Sequence, residues 1–221
     1  MMMRHGIEEH SRSGFTLVEL LVVIAILAVL MMILVPAIQK GLEQAQMTRC
    51  QSHLRTIGVA VMEHVSDHKN RLPWLGDFGW DQGSWNVDRF WRNQLVDGGY
   101  LEDYDVLQCP GEKHHHGMGD LGPNRYIIPH SRIPPTLASI RRPRETVLCG
   151  DTRQFANGRW QGSWWMQADN FVDNHEHKTG VPWPPRHGEF MNFLFFDGSV
   201  RALKQDYLKE NDNLLFHGEE E

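Results

Sequence analysis

The chain has 221 residues, with 22 Lys and Arg against 28 Asp and Glu, a net charge of −6 and a pI near 6.1. It holds no basic run of the kind that neutralises phosphates, which argues against a nucleic-acid binder, and its length favours one globular unit with an appendage over two full domains. Apolar residues make up 41%, yet mean hydropathy is −0.45, so averaging conceals a division between one very apolar stretch and a polar, tryptophan-rich remainder.

The apolar stretch runs from Phe15 to Val35, 21 residues with a single charge at Glu19. A helix of that length rises about 31 Å and matches a bilayer core of ~30 Å. Pro36 closes the run, and Gln39, Lys40, Glu43 and Gln44 return the composition to water-compatible. A cleavable signal peptide places small residues after its apolar core. Here Ser13-Gly14 precede it, so a cut at that point removes only the polar leader Met1–Gly14 and keeps the helix. An uncut signal anchor is the alternative, and Arg4 and Arg12 against Lys40 and Arg49 orient it only weakly.

A carboxylate at mid-membrane costs on the order of 2.5–3.5 kcal/mol and is usually paired. Cleavage after Gly14 creates an α-amino group on Phe15, four residues from Glu19. In a bundle of identical helices that amine can meet the Glu19 of a neighbour, so self-assembly follows from the pairing.

Beyond Pro36 a helical period continues through Ile38, Leu42, Ala45, Cys50, Leu54, Ile57, Val61 and Val65. One long helix is expected from about Thr16 to about Ser66, kinked or loosened near Pro36, with an amphipathic outer half that packs on a sheet. A short helix is expected over Asn86–Val96. Strands are expected at Thr146–Cys149, Met191–Phe196 and Ser199–Leu203, with weaker candidates at Val106–Cys109 and Tyr126–Ile128. Asp197-Gly198 lies between the last two strong candidates as a type I′ hairpin turn. Asn70–Ser84, Gly111–Asn124 and Asn170–Gly188 read as loops. The fold class expected is α+β: a long N-terminal helix, its first half membrane-spanning, on a small antiparallel sheet with long loops. The divisions fall at residues 1–14, 15–36, 37–66 and 67–221.

Ser13-Gly14-Phe15-Thr16-Leu17-Val18-Glu19-Leu20 before an apolar run resembles the prepilin motif of type IV pilins and type II secretion pseudopilins. The resemblance implies cleavage by a prepilin peptidase between Gly14 and Phe15, N-methylation of Phe15, and neutralisation of a neighbour's amine by Glu19 during filament growth. His187, nine residues, then Asp197-Gly198 is similar to the C-terminal signature of a bacterial prepilin-like group, the His-X9-Asp-Gly proteins. Cys50-Gln-Ser-His-Leu-Arg-Thr-Ile-Gly, Arg71-Leu-Pro, Cys109-Pro110 and Arg144-Glu-Thr-Val-Leu extend the likeness.

His187 and Asp197 invite a catalytic-dyad reading, but ten extended residues at ~3.3 Å each set them roughly 33 Å apart. The favoured roles are structural, Asp197-Gly198 at a hairpin tip and His187 anchoring the strand entry. His114, His115 and His116, with His175 and His177, offer imidazoles for a transition metal, and Asp169, Asp173 and Asn174 offer oxygens for calcium. Neither set has the spacing of a dedicated site, so no metal or other cofactor is expected.

All eight tryptophans lie outside the membrane segment: Trp74, Trp80, Trp85 and Trp91, then Trp160, Trp164, Trp165 and Trp183. Packing in a satellite core is favoured over stacking on a ligand. Cys50, Cys109 and Cys149 would face an oxidising compartment, giving one disulfide and one leftover thiol. The family resemblance implies a Cys50–Cys109 bridge; three buried thiols are the alternative.

No phosphate loop, nucleophile elbow or His-Glu-x-x-His motif is present, so an enzyme is not expected. The resemblance implies a pseudopilin or minor pilin, a single-pass protein of a bacterial inner membrane with a periplasmic head. Its partners would be other pilin-like subunits, the peptidase, inner-membrane assembly machinery and lipid. The alternative function is a membrane-tethered module binding polysaccharide or metal through its Trp and His loops. A periplasmic hydrolase would need His187 beside an acidic residue in a cleft.

Overall fold

The computed structural model describes residues 16–79, 84–86, 90–117, 119–128, 135–167, 184–211 and 213–217. The chain divides into two compact units, residues 1–42 and 43–221. Helix α1, Leu17–Asp67, begins in the first unit and ends in the second, running unbroken through Pro36.

Within the first unit, the helix start is built by a reciprocal cap. The Thr16 N–H and hydroxyl donate to Glu19 Oε2 at 2.8 and 2.7 Å, and the Glu19 N–H donates to Thr16 Oγ1 at 3.2 Å. This Thr-x-x-Glu capping box satisfies backbone donors that a helix end otherwise leaves open. The large apolar side chains from Leu17 to Val35 are each 47–79% exposed in the single chain.

In the second unit, α1 buries Cys50, Leu54, Ile57, Gly58, Ala60, Val61, His64 and Val65. The expected stripe therefore holds only from Cys50 onward. Ile38, Leu42 and Ala45 continue the period but are exposed.

The main sheet has the order β3-β4-β7-β8, all antiparallel: β3 Leu121–Pro123, β4 Val147–Asp151, β7 Phe190–Phe195 and β8 Val200–Lys204. Alternation along β7 divides the core. Leu194 joins Leu54, Ile57, Val61 and Leu148 in one cluster, while Met191, Phe193 and Phe195 join Val147, Met166, Leu208 and Phe216 in another. Gly58 lets α1 come close to the sheet; a Cβ there would lie 3.2 Å from the Leu194 methyls. The β4–β7 register shifts between Val147 and Cys149, a bulge that leaves Leu148 and Cys149 both in the first cluster.

Two small hairpins complete the strands. Strands β1, Asp77–Gly79, and β2, Ser84–Asn86, pair antiparallel, as do β5, Arg153–Ala156, and β6, Arg159–Gly162. Between β5 and β6, Asn157 and Gly158 have φ of 55° and 73°, the two left-handed residues of a type I′ turn. Helix α2 covers only Trp91–Val96, and α3 covers Gln205–Glu210.

Several expectations are corrected. Val106–Cys109 is no strand, since Asp105–Leu107 forms a 3-10 turn, and Tyr126–Ile128 is a turn after β3. Asn86 belongs to β2, and α2 has no side-chain cap. The Asp197-Gly198 turn is not type I′. Gly198 has φ of 82° while Asp197 stays at negative φ, and Gly198 N–H donates to Phe195 O at 3.0 Å and Phe195 N–H to Ser199 O at 2.9 Å. That pattern is a type I turn closed by a glycine bulge, which inserts one more residue than a two-residue loop allows.

Candidate functional site

Cys50, Cys109, Asp151 and His187 meet inside the second unit, each offering a ligand atom within 4.8 Å of the others. Among the described residues this is the grouping of His, Cys and carboxylate able to hold an ion. Each member arrives by a separate local device. Cys50 is the first buried residue of α1. Cys109 opens a turn in which Pro110 takes the first corner and Glu112 N–H donates to Cys109 O at 2.9 Å. Asp151 ends β4, two residues beyond Cys149 and so on the same face of the sheet. His187 precedes β7 and pairs its backbone with Phe190 in both directions, at 3.3 and 3.1 Å, around Gly188 at φ of 65°.

The contacts are close. Cys109 Sγ lies 3.2 Å from His187 Nε2, Cys50 Sγ lies 3.6 Å from Asp151 Oδ1, and His187 Nε2 lies 3.9 Å from Asp151 Oδ2. Asn192 N–H donates to Asp151 Oδ2 at 2.6 Å, and Arg186 approaches Asp151 Oδ1 at 3.2 Å. The imidazole is held from behind by Gly111, where a Cβ would come 2.7 Å from its Cε1. Its Nδ1 has no hydrogen-bond partner.

A charged shell surrounds the four. Arg186 also pairs with Glu112 at 3.0 Å, and its guanidinium donates to the Asp120 carbonyl at 2.9 Å and to the Thr152 carbonyl. Glu112 accepts from Arg153 at 2.7 Å and from the backbone of Lys113 and His114. Burial works to raise the Glu112 carboxyl, but the Arg186 and Arg153 guanidinium groups outweigh it and hold it below the usual range. Burial likewise opposes charge on Arg186 and His187. Asp151 and the other neighbouring anions overcome it at Arg186, and at His187 it is overcome by the hydrogen bond to Cys109 and by the negative charge of Asp151, so both rise. Between the cysteines, the hydrogen bond from Cys50 lowers Cys109 and raises Cys50. Burial, and after it the negative charge of Asp151, pushes Cys149 up.

The residues singled out in the sequence fall as follows. Cys50 and Cys109 are brought together, but as free thiols, and Cys149 is free as well. The sulfurs of Cys50 and Cys109 also face His187 and Asp151. His187 and Asp197 do not form a dyad. The Asp197 carboxylate accepts from Ser199 N–H and hydroxyl at 2.9 and 2.6 Å at the hairpin tip. His115 and His116 hold Asp120, His115 Nδ1 bonding its carboxylate and His116 N–H donating to it at 3.0 Å, while His114 N–H donates to Glu112 at 3.1 Å. Trp91 is buried, while Trp164 and Trp165 are half-buried against the main core. Gly14, Phe15, Asp169, Asp173, Asn174, His175, His177, Trp80 and Trp183 lie outside the described residues, as does the side chain of Trp85. Asp151 and Arg186 sit in no recognisable motif; the sequence signals of the site are His187 and the two cysteines.

Residues 10–35 match the model described as the prokaryotic N-terminal methylation motif. The competence protein ComGC of Halalkalibacterium halodurans is 33% identical over 64 residues, 29% of this chain and 62% of that protein. The ComG operon protein 3 homolog of Bacillus licheniformis is 27% identical over 63 residues, 28% of this chain and 65% of that protein. The chain thus spans less than two thirds of either relative. No solved structure matches it. The chain carries the N-terminal methylation motif of type IV pilin-like proteins, on a helix long and apolar enough to cross a membrane, and joins it to an α+β head.

Proposed function

We propose that the chain is a pilin-like subunit of a type IV pilus-like filament, cut between Gly14 and Phe15, methylated on Phe15 and assembled through α1. The observation that carries this reading is that the methylation-motif match, residues 10–35, takes in the start of an apolar helix whose side chains are bare in the single chain. About 25 cal/mol is gained per Å2 of apolar surface removed from water, so such a surface requires lipid before assembly and other helices after it. Glu19 is the lone charge of the span and has its hydrogen bonds supplied by Thr16, but these do not neutralise it. The α-amino group of a neighbouring Phe15 does.

The head then lies beyond the cytoplasmic membrane, in the periplasm where an outer membrane exists. The filament serves a type IV pilus or a type II secretion system, and the names of the competence relatives favour the first. The role is assembly rather than catalysis. Partners are further copies, other pilin-like subunits, the prepilin peptidase and the membrane assembly machinery.

Mass spectrometry of the mature N-terminus, with and without the peptidase, tests the reading. N-methylated Phe15 in the presence of the enzyme is expected, and an intact Met1 there overturns it. Glu19→Leu is expected to be processed yet to enter filaments poorly.

A further inference from the structure

The buried meeting of two cysteines, a histidine and an aspartate asks for an occupant. Thiols alone need no such company, and burying a carboxylate and an imidazole beside them costs free energy unless they are paired. We propose that Cys50, Cys109, Asp151 and His187 bind one transition-metal dication of the zinc class as a tetrahedral set of two sulfurs, one nitrogen and one oxygen.

The donor types fit. Thiolate and imidazole ligands select zinc and its neighbours over calcium or magnesium, and closed four-ligand sets of this kind are structural. The spacing fits too. Zinc bonds of about 2.0–2.3 Å in a tetrahedron separate ligand atoms by roughly 3.3–3.8 Å. Three of the separations are 3.2 Å for Cys109 Sγ to His187 Nε2, 3.6 Å for Cys50 Sγ to Asp151 Oδ1 and 3.9 Å for His187 Nε2 to Asp151 Oδ2, and one ligand atom from each of the four residues lies within 4.8 Å of the others. A contraction of up to about 1 Å closes the set on an ion.

Charge closes as well. Two thiolates, the Asp151 carboxylate, a dication and Arg186 sum to zero, while Glu112 is matched by Arg153. Asn192 N–H and Arg186 hold the carboxylate and Gly111 backs the imidazole, so the ligands are oriented before metal arrives. Access argues against the rival use of a cysteine beside a histidine, a thiol nucleophile. Cys50 and Cys109 have no exposed surface and His187 is 5% exposed, which leaves no room for a substrate carbonyl but suits a buried ion. The metal would tie the Cys50 turn of α1 to the sheet and to the Cys109 loop, the work a disulfide would otherwise do, and would keep both thiols reduced.

The test uses the full chain in detergent, purified with a thiol reductant, stripped with a chelator and titrated with zinc or cobalt. About one zinc per chain is expected, with a rise in melting temperature, and the cobalt form should show a thiolate-to-cobalt charge-transfer band and intense tetrahedral ligand-field bands. Cys50→Ser, Cys109→Ser and His187→Gln should each lower zinc affinity by at least about tenfold, and Cys149→Ser should not. Where a variant fails to fold, the cobalt spectrum of the wild-type chain decides. Failure of the wild type to retain zinc overturns the proposal, as does a cobalt spectrum without thiolate bands. Undiminished binding by the Cys50→Ser, Cys109→Ser double variant overturns it too. So does a Cys50–Cys109 disulfide found by mass spectrometry in chain isolated from cells under thiol-blocking conditions. None of these outcomes depends on whether the chain enters a filament.

Discussion

Arg186 and Asp151 form an ion pair at 3.2 Å in which the two side chains are only 1% and 2% exposed. Removing one partner of a buried pair strands the other charge, at a typical cost of about 3–5 kcal/mol. Arg186→Met is expected to destabilise the chain by that order, read from urea unfolding. Arg201→Met, which loses a partly exposed contact at 3.9 Å to Asp197, a bond to the Arg144 carbonyl at 2.7 Å and a place over the Phe195 ring, should cost less, about 1 kcal/mol.

Acid should weaken the head before its carboxylates are reached. His64 is 3% exposed, stacks on His68 at 3.9 Å, and has its pKa lowered to about 4, first by burial and then by His68. Because the folded value lies below that of the unfolded chain, the unfolded state binds the extra proton. The stability is therefore fully present above about pH 6.5 and is lost as pH falls toward 4, by roughly 2–3 kcal/mol. Glu112, also held below its usual value, adds a second loss at lower pH. Unfolding measured between pH 7 and pH 4 should show the first slope in the native chain and a flatter one in His64→Gln.

Glycines give a contrast of sign. A Cβ at Gly122 would meet the Trp165 backbone nitrogen at 2.5 Å and Cα at 2.6 Å, neither of which can swing aside. Gly122→Ala should cost at least about 1–3 kcal/mol through overpacking. Gly41, in α1, has nothing within 4 Å, so Gly41→Ala should be neutral or gain up to about 1 kcal/mol of helix stability. Thermal melts of the two variants check both signs.

The capping box makes its own prediction. Thr16→Val keeps the shape of the side chain but removes the hydroxyl that bonds Glu19, and should cost about 1 kcal/mol at the helix start. Faster amide exchange at residues 17–20 in detergent micelles would register the fraying, while exchange near Leu54 should not change.

The sequence carried the rod and the outline of the sheet because both rest on periodicity. A run of apolar residues sets the span, period-four burial sets Cys50 to Val65, and alternation sets β7. It did not carry the β5–β6 hairpin, although Asn157-Gly158 is a strong turn signal, because Arg153, Gln154, Arg159 and Gln161 give its strands no apolar alternation. The site was half legible. His187 and the cysteines stood out by residue type, but their meeting depends on the bulge and on where β4 ends, which no local pattern encodes. Asp151 looked like an ordinary residue after a strand until the α1 face was folded over it.

The four groups of the buried cluster stand at positions 50, 109, 151 and 187, and the sheet that places the last of them is finished only by β8. A chain emerging from the ribosome therefore carries its greasy rod long before it can close this pocket. A product terminated before residue 187 lacks one of the four groups, and one terminated before β8 lacks the strand that completes the sheet, so either leaves buried side chains open to proteolysis.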